Sequence, residues 1–347
     1  MKKQGRGIAT IMFGFGYGEG FPDHSIASAE IEDSGKILIR TAAADVGEGV
    51  LTVVTQIAAE VLKVNPEVVE VISGDTHLTK SAGSTSATRQ TFFTGNAVKR
   101  ASEELLGKIY HYASLEFTSN HVELGIDKGC IFRNDNPNDK LSYWELAKKV
   151  TTRGDDLKAE ASFFLPTDKP DSKTGQGEKV YVAYTFVTQV IDVEVDTDTG
   201  IVQVLKVYTT ADIGKAINPQ NVEGQIEGGT VQGIGMALME EQVIKEGITL
   251  NPDLTGYLIP TSMDTPQFIT RLIENEDSEG PFGAKGIGEP ATIATAPAIA
   301  NAIYDAIGVR IFDLPITPEK ILKALKEREI KNKRGNKEGF NNIVEYY

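Results

Sequence analysis

The chain has a single cysteine, Cys130, in 347 residues. No disulfide can close within it. A [2Fe–2S] cluster takes four cysteines, so this chain cannot hold one unaided. Histidine is almost as scarce: His24, His77, His111 and His121 are scattered, show no metal-ligand spacing, and argue against a metal held by protein side chains. Positive charge is in deficit, with 35 Lys and Arg against 49 Asp and Glu, a formal net charge of -14 and a pI near 4.9. Nucleic-acid binding needs a basic surface, and adhesion to anionic lipid needs basic clusters; neither partner is expected. No apolar run reaches the ~20 residues of a membrane-spanning helix. The start, Met1-Lys-Lys-Gln-Gly-Arg6, lacks the apolar stretch of a secretory signal. The expectation is a cytoplasmic chain with no membrane attachment.

What is present is ordinary globular material, 40% hydrophobic and 24% charged, long enough for one large domain or two of common size. Residues 8–15 read as a strand running into Gly14-Phe-Gly-Tyr-Gly-Glu-Gly20. Glycine there falls at every second place, unlike the G-x-G-x-x-G of dinucleotide sites. Residues 25–31 and 36–41 alternate as a hairpin about Asp33-Ser-Gly35. Val53, Val54, Ile57, Ala58 and Val61 recur at helical spacing and predict a helix over 50–62. Further strands are expected at 68–73, 180–195, 201–208 and 268–274, and a hairpin at 121–133. Helices are expected at 95–112, 143–150, 221–240 and 318–326, and an apolar helical run from Ala291 to Ile303. The polar, glycine-bearing stretch 167–178 reads as a loop. Asp192, Glu194, Asp196 and Asp198 alternate along a strand into a turn, which is not the ligand pattern of an EF-hand. Hairpins mixed with helices, with no clean linker and no repeat, predict an α+β fold of two intertwined subdomains of mixed sheets, 1–160 and 161–328, with a charged tail at 329–347.

Four stretches carry chemistry. Gly283-Ala-Lys-Gly-Ile-Gly-Glu-Pro290 holds one carboxylate, Glu289, on a glycine turn at the mouth of a helix. A carboxylate fixed in that way suits a general base; the same acid could simply complement a helix dipole. Asp45-Val-Gly-Glu-Gly49 opens a helix, where unpaired amides bind anions or are merely capped. Ser81-Ala-Gly-Ser-Thr-Ser-Ala-Thr-Arg-Gln-Thr91 is small and hydroxyl-rich; such a loop can approach a ligand and hold phosphate oxygens, or lie on the surface. Gln232-Gly-Ile-Gly235 sits in a glycine-rich helix, permitting close packing or close ligand approach at a cost in helix propensity.

Taken in order, Asp45–Gly49, Ser84–Thr91 with Gly95-Asn-Ala-Val98, Asn218-Pro219 with Gln232–Gly235, and Lys285–Pro290 resemble one family. It is the molybdenum-cofactor-binding portion of the xanthine dehydrogenase/aldehyde oxidase family of molybdenum hydroxylases, and the resemblance runs from about Gly5 to about Leu325. It implies a molybdenum–molybdopterin cofactor, in mononucleotide or dinucleotide form, with no direct protein ligand to the metal. It further implies insertion of a water-derived oxygen at an electron-poor carbon of a purine, another N-heterocycle or an aldehyde, with Glu289 taking a proton. By the same resemblance Gly47, Glu48 and Gly49 match a Gly-Gln-Gly contact to the pterin, with Glu48 in place of the usual glutamine. A carboxylate cannot donate the amide's hydrogen bonds, which puts that contact in question. Ala87 and Thr88 would face the active centre, Gln90 and Thr91 would lie nearer the pterin phosphate, Gln232 would bond the cofactor, and Ser86, Gly286 and Gly288 would also be cofactor-binding.

The same family implies [2Fe–2S] clusters and FAD on partner subunits, and an upstream cofactor-binding half on another chain. The layout is similar to the split molybdenum subunit of nicotinate dehydrogenase, or to a piece cut from a longer protein; either way the chain is expected to be inactive alone. The alternative is a non-catalytic scaffold or maturation protein retaining the fold, for which Glu48 is the one support and Glu289 the objection.

Overall fold

The structure is a computed structural model describing residues 1–117 and 123–344, with side chains as far as residue 331. In chain order the first portion holds β1 (Lys2–Phe15), β2 (His24–Ile31), β3 (Ile37–Thr41), α1 (Val50–Leu62), β4 (Val69–Ser73), α2 (Gln90–Phe117), β5 (Leu124–Asp127), β6 (Cys130–Arg133), β7 (Asn136–Ser142), α3 (Tyr143–Thr152) and β8 (Lys158–Phe164). There follow β9 (Ala183–Asp196), β10 (Val202–Asp212), α4 (Pro219–Leu238), the short pair β11 (Ile244–Lys245) and β12 (Ile248–Thr249), β13 (Gln267–Ile273), α5 (Pro290–Ile293), α6 (Thr295–Ile307) and α7 (Pro318–Val344). The fold is mixed α+β, as expected.

Two four-stranded sheets dominate, in orders β4-β3-β2-β8 and β1-β9-β10-β13. In the first, the expected hairpin pairs Ala27 with Thr41 and Ile31 with Ile37. Its apolar face, with Ala27, Ala29, Ile37 and Ile39, packs on α1 and α2 through Val54, Ile57, Ala58, Phe92, Phe93 and Leu105, all buried. In the second, β9 alternates buried and half-buried residues along nearly its whole length, the period-2 signature of a sheet covered on one face. Ile191, Val193 and Val195 meet Ala298, Ile299, Ala302 and Ile303 of α6 in the second core.

Glycine makes that helix–sheet contact close. A Cβ on Gly5 would lie 2.3 Å from the Ala302 carbonyl oxygen, and one on Gly7 would lie 2.1 Å from that of Ala298. The backbones of α6 and β1 therefore nearly touch. That is why β1 begins at Lys2 rather than at Ile8: these glycines weaken a strand by propensity, yet they are what admits the helix.

Other boundaries shift for similar reasons. α2 starts at Gln90, five residues before the expected Gly95, because burial of Phe92, Phe93 and Thr94 outweighs their modest helix propensity. Gln90 and Thr91 are thus first-turn residues, not loop. The run after Glu289 is two helices, α5 and α6, joined at Ala294, whose backbone stays helical. The last helix continues to Val344, through residues expected as tail. β7 and β8 were not expected; β8 alternates buried Ala159, Ala161 and Phe163 with exposed residues. The hairpin expected from His121 is present as β5 and β6, with His121 and Val122 outside the described residues.

Candidate active site

Loops at the ends of both sheets meet. The loop before α2 reaches the one before α1 through Thr85 Oγ1, which donates to the Ala44 carbonyl at 2.6 Å. It reaches the β1–β2 loop through the Gly16 N–H, which donates to the Ala87 carbonyl at 2.9 Å. The start of α4 is tied to the middle of α1 by Asn218 Nδ2, which donates to Gln56 Oε1 at 3.2 Å.

Glu289 meets the loop before α2 at Thr88. Thr88 Oγ1 accepts the Glu289 backbone N–H at 3.0 Å, and the same hydroxyl donates to Glu289 Oε2. One oxygen of the carboxylate is thereby fixed while the side chain as a whole stays exposed. The carboxylate does not cap α5, which is only four residues long, so a helix-dipole role explains little. Behind it the loop is held at several points. Thr185 Oγ1 donates to the Gly286 carbonyl at 2.8 Å, and buried Lys285 pairs with Asp212 at 3.0 Å. Gln189 Nε2 donates to Thr230 Oγ1 at 2.8 Å while its Oε1 accepts from Thr295 Oγ1 at 2.8 Å, linking β9, α4 and α6 beneath α5. Sequence reading singled out none of Thr185, Gln189 or Asp212; polar residues in a strand give no local sign of burial.

A Cβ on Gly286 would lie 2.2 Å from the Thr88 carbonyl oxygen. Its glycine is therefore explained by the close approach of the two loops. Ala87 and Thr88 have φ of 52° and 54°, a conformation uncommon for Ala and an outlier for a β-branched residue. Backbone held in that region clusters at functional sites.

Beside Ala87 opens a cleft of about 540 Å³ lined by Phe13, Tyr17, Phe21, Pro22 and Tyr181 together with glycines. Four aromatic rings give it flat, largely apolar walls suited to a planar ligand.

The loop before α1 is an acceptor and amide cradle. Asp45 accepts the N–H groups of Gly47 at 2.8 Å and of Gly49 and Leu51 at 3.4 Å. Burial pushes its carboxyl up, but these amide donors outweigh that and hold it below its ordinary value. Glu48 Oε2 accepts the Val46 N–H at 2.8 Å, whereas its buried Oε1 has no hydrogen-bond partner among the described residues. Over Gly47 there is nothing within 4 Å of a would-be Cβ. An acceptor without a partner beside open space fits a ligand that donates, such as the ring N–H and amino groups of a pterin. Among the described residues no group of three His, Cys, Asp or Glu could hold a metal, and the donors here are hydroxyls and amides, which fits a cofactor bringing its own metal ligands.

The remaining candidates separate. Ser86 is exposed and its hydroxyl meets that of Ser84 at 2.6 Å. Gln90 is buried and spends its amide inside the loop, on the Ser84 carbonyl and Thr85 Oγ1, accepting from Thr94 Oγ1. Thr91 is half-buried in the first turn of α2, and Gly288 faces Thr88 Oγ1, 3.1 Å from a would-be Cβ. Gln232 is exposed on α4, while Gly229 and Gly233 turn to α5 and α6; no hydrogen bond joins Gln232 to Thr88 or Glu289 among the described residues. The acidic alternation on β9 is spent on cations: Asp192 pairs with Arg6, Glu194 with Lys2, and Asp196 and Asp198 with the N-terminal amine.

Comparison with known proteins supplies the family. A family model described as the molybdopterin cofactor-binding domain matches residues 1–266. The chain belongs to that family. It is 36% identical over 336 residues to the probable hypoxanthine oxidase XdhD of Escherichia coli (strain K12), covering 93% of this chain and 32% of that protein. It is 32% identical over 325 residues to the xanthine dehydrogenase molybdenum-binding subunit of Escherichia coli O157:H7, covering 91% and 41%. Among solved structures, quinoline 2-oxidoreductase from Pseudomonas putida 86 superposes with a TM-score of 0.79 at 27% identity, covering 94% of this chain and 42% of that one. This molybdopterin cofactor-binding chain thus spans roughly a third to two-fifths of the length of the curated relatives it matches.

Proposed function

We propose that this chain forms one side of the active centre of a molybdenum hydroxylase and supplies its proton-accepting carboxylate, Glu289. The observation that carries the reading is the two-way bond between Thr88 and Glu289 beside an aromatic cleft. Thr88 orients Oε2, which leaves Oε1 to take a proton from a group at the mouth of the cleft. Glu48, Gly47 and Gly49 would hold the pterin ring, with Ser86, Ala87 and Thr88 toward the active centre. Thr91 would lie toward the phosphate and Gln232 would bond the cofactor, Gln90 would serve by holding the loop through Ser84 and Thr85, and Gly286 and Gly288 let the Glu289 loop close on Thr88. When bound, the cofactor supplies the two-electron oxidation and the activated water-derived oxygen.

Phe13, Tyr17, Phe21 and Tyr181 favour a flat substrate, so an N-heterocycle stands ahead of an aliphatic aldehyde. Residues 1–160 and 161–328 act as two cofactor-binding subdomains with 329–347 as a tail, in a cytoplasmic setting. The partners are an upstream molybdenum-subunit chain, a [2Fe–2S] chain and an FAD chain. Exposed apolar side chains such as Leu254, Met263 and Phe312, at 71%, 88% and 87% exposed, would be available to such partners. No helix among the described residues is long and apolar enough to cross a membrane.

Co-expression with neighbouring genes, followed by molybdenum and pterin analysis of the purified complex and a panel of purines, pyridines, quinolines and aldehydes, tests this. Cofactor and turnover are expected in the complex and neither in the chain alone. A complex that carries the cofactor but turns over nothing on the panel points to a scaffold instead, and a complex without molybdenum refutes the reading.

A further inference from the structure

Arginine is almost never fully buried without its donors being answered, yet Arg89 is 0% exposed. Its Nε donates to Asp23 Oδ1 at 2.7 Å, and Nη2 lies 2.6 Å from the same oxygen. Nη2 also donates to the His24 carbonyl at 2.8 Å, and Nη1 to the carbonyls of Ala82 at 2.5 Å and Ser84 at 3.1 Å. The loop wraps the guanidinium so closely that a Cβ on Gly83 would lie 2.6 Å from Nη1. Asp23 in turn accepts the Tyr17 N–H on Oδ2 at 2.9 Å. The guanidinium lies 5.0 Å from the Tyr17 ring centroid and 5.1 Å from that of Phe93. A further bond closes the circle, from the Ser84 N–H to the Tyr17 hydroxyl at 2.9 Å.

Together these bonds shape two loops, 16–24 and 82–89, and tie one to the other. The first carries Tyr17 and Phe21 of the cleft wall, and the second carries Ala87 and Thr88. A buried ion pair is a poor way to stabilise a fold, since desolvation offsets most of the attraction and apolar residues of like volume do as well or better. What it does supply is a single geometry, because the planar fork meets its acceptors in only one arrangement.

We propose that Arg89 and Asp23 are positioning residues that fix the aromatic wall at Tyr17 relative to the Thr88 hydroxyl that orients Glu289. This rests on the site proposed above, and it adds a pair of residues that touch neither substrate nor cofactor. Losing the clasp lets the two loops drift, so a ring bound against Tyr17 no longer presents its reacting carbon to Glu289.

The test uses the co-expressed complex. Arg89→Lys keeps a cation opposite Asp23, so no charge is left alone, but it cannot reach the three carbonyls and the carboxylate together. Amide hydrogen exchange over residues 82–88 is expected to speed by about tenfold or more, with kcat/KM down by about tenfold and KM raised. Parent exchange together with parent kinetics overturns the proposal, as does faster exchange with unchanged kinetics. Arg89→Met combined with Asp23→Asn removes both charges while leaving an amide carbonyl oxygen able to accept the Tyr17 N–H that Asp23 Oδ2 accepts. It is expected to melt above the single Arg89→Met variant and yet keep the impaired kinetics. Recovery of parent kinetics along with stability shows a merely structural pair and overturns the proposal; if this double variant does not fold, Arg89→Lys alone decides. Should the parent complex turn over nothing on the panel, the proposed function fails, while the exchange of 82–88 in Arg89→Lys still decides whether the pair sets the two loops.

Discussion

Replacing Thr88 by valine isolates the hydroxyl that joins the two loops of the candidate site. Valine keeps the β-branched shape and the methyl packed over Gly286, and it meets the same left-handed backbone at φ 54°. Two bonds go: the Glu289 N–H loses the oxygen it meets at 3.0 Å, and the carboxylate loses its donor on Oε2. A hydrogen bond to a charged group contributes about 1.5–3 kcal/mol. That bond holds the charged form, so its strength alone does not speed proton acceptance; what turnover loses is orientation, and since a misplacement of about 1 Å costs on the order of 10²-fold, a fall of about 10- to 100-fold is expected. The assay is steady-state kcat of the complex, normalised to molybdenum content, with Thr88→Ser as the control that restores the oxygen. Thr88→Val turning over within about twofold of the parent at full cofactor content would mean that Thr88 does not orient the base.

Two further outcomes follow from the same geometry. Gly286→Ala places a Cβ 2.2 Å from the Thr88 carbonyl, so the loops must part; chemical denaturation should show a loss of about 1–3 kcal/mol, and an unchanged midpoint would refute the close approach. Asp45 is held below its ordinary 3.8, so its three amide bonds stabilise the folded loop above that value and the contribution is lost as pH falls through the depressed one. The stability gap between the parent and Asp45→Ala, measured by thermal melting, should therefore be full at about pH 6 and close on acidification; a gap that persists undiminished in strong acid contradicts the assignment.

The sequence was most legible where a pattern is local. Val50–Leu62 carries its apolar face at helical spacing, and the helix is observed with those bounds; the hairpin about Asp33-Ser-Gly35 announces itself by its turn. Glu289 was legible as a lone acid among glycines. What was not legible is long-range. Gly5 and Gly7 fall outside the expected strand, 8–15, because the helix that requires them lies about three hundred residues on. Gln90 read as loop because only Ser84, Thr85 and Thr94 reveal what its amide holds. Arg89 carries no local sign of burial, because its acceptors, Asp23 and three carbonyls, come together only on folding.

The central claim is that Glu289 accepts the proton. Glu289→Gln in the assembled complex keeps the size of the side chain and a carbonyl oxygen able to accept from Thr88, and removes the capacity to take a proton. The measurement is single-turnover reduction of the complex by substrate, alongside molybdenum and pterin content. The rate is expected to fall by about 10² to 10⁴ with cofactor content at the parent level. A Glu289→Gln complex that is fully loaded and reduced at near the parent rate would contradict the claim.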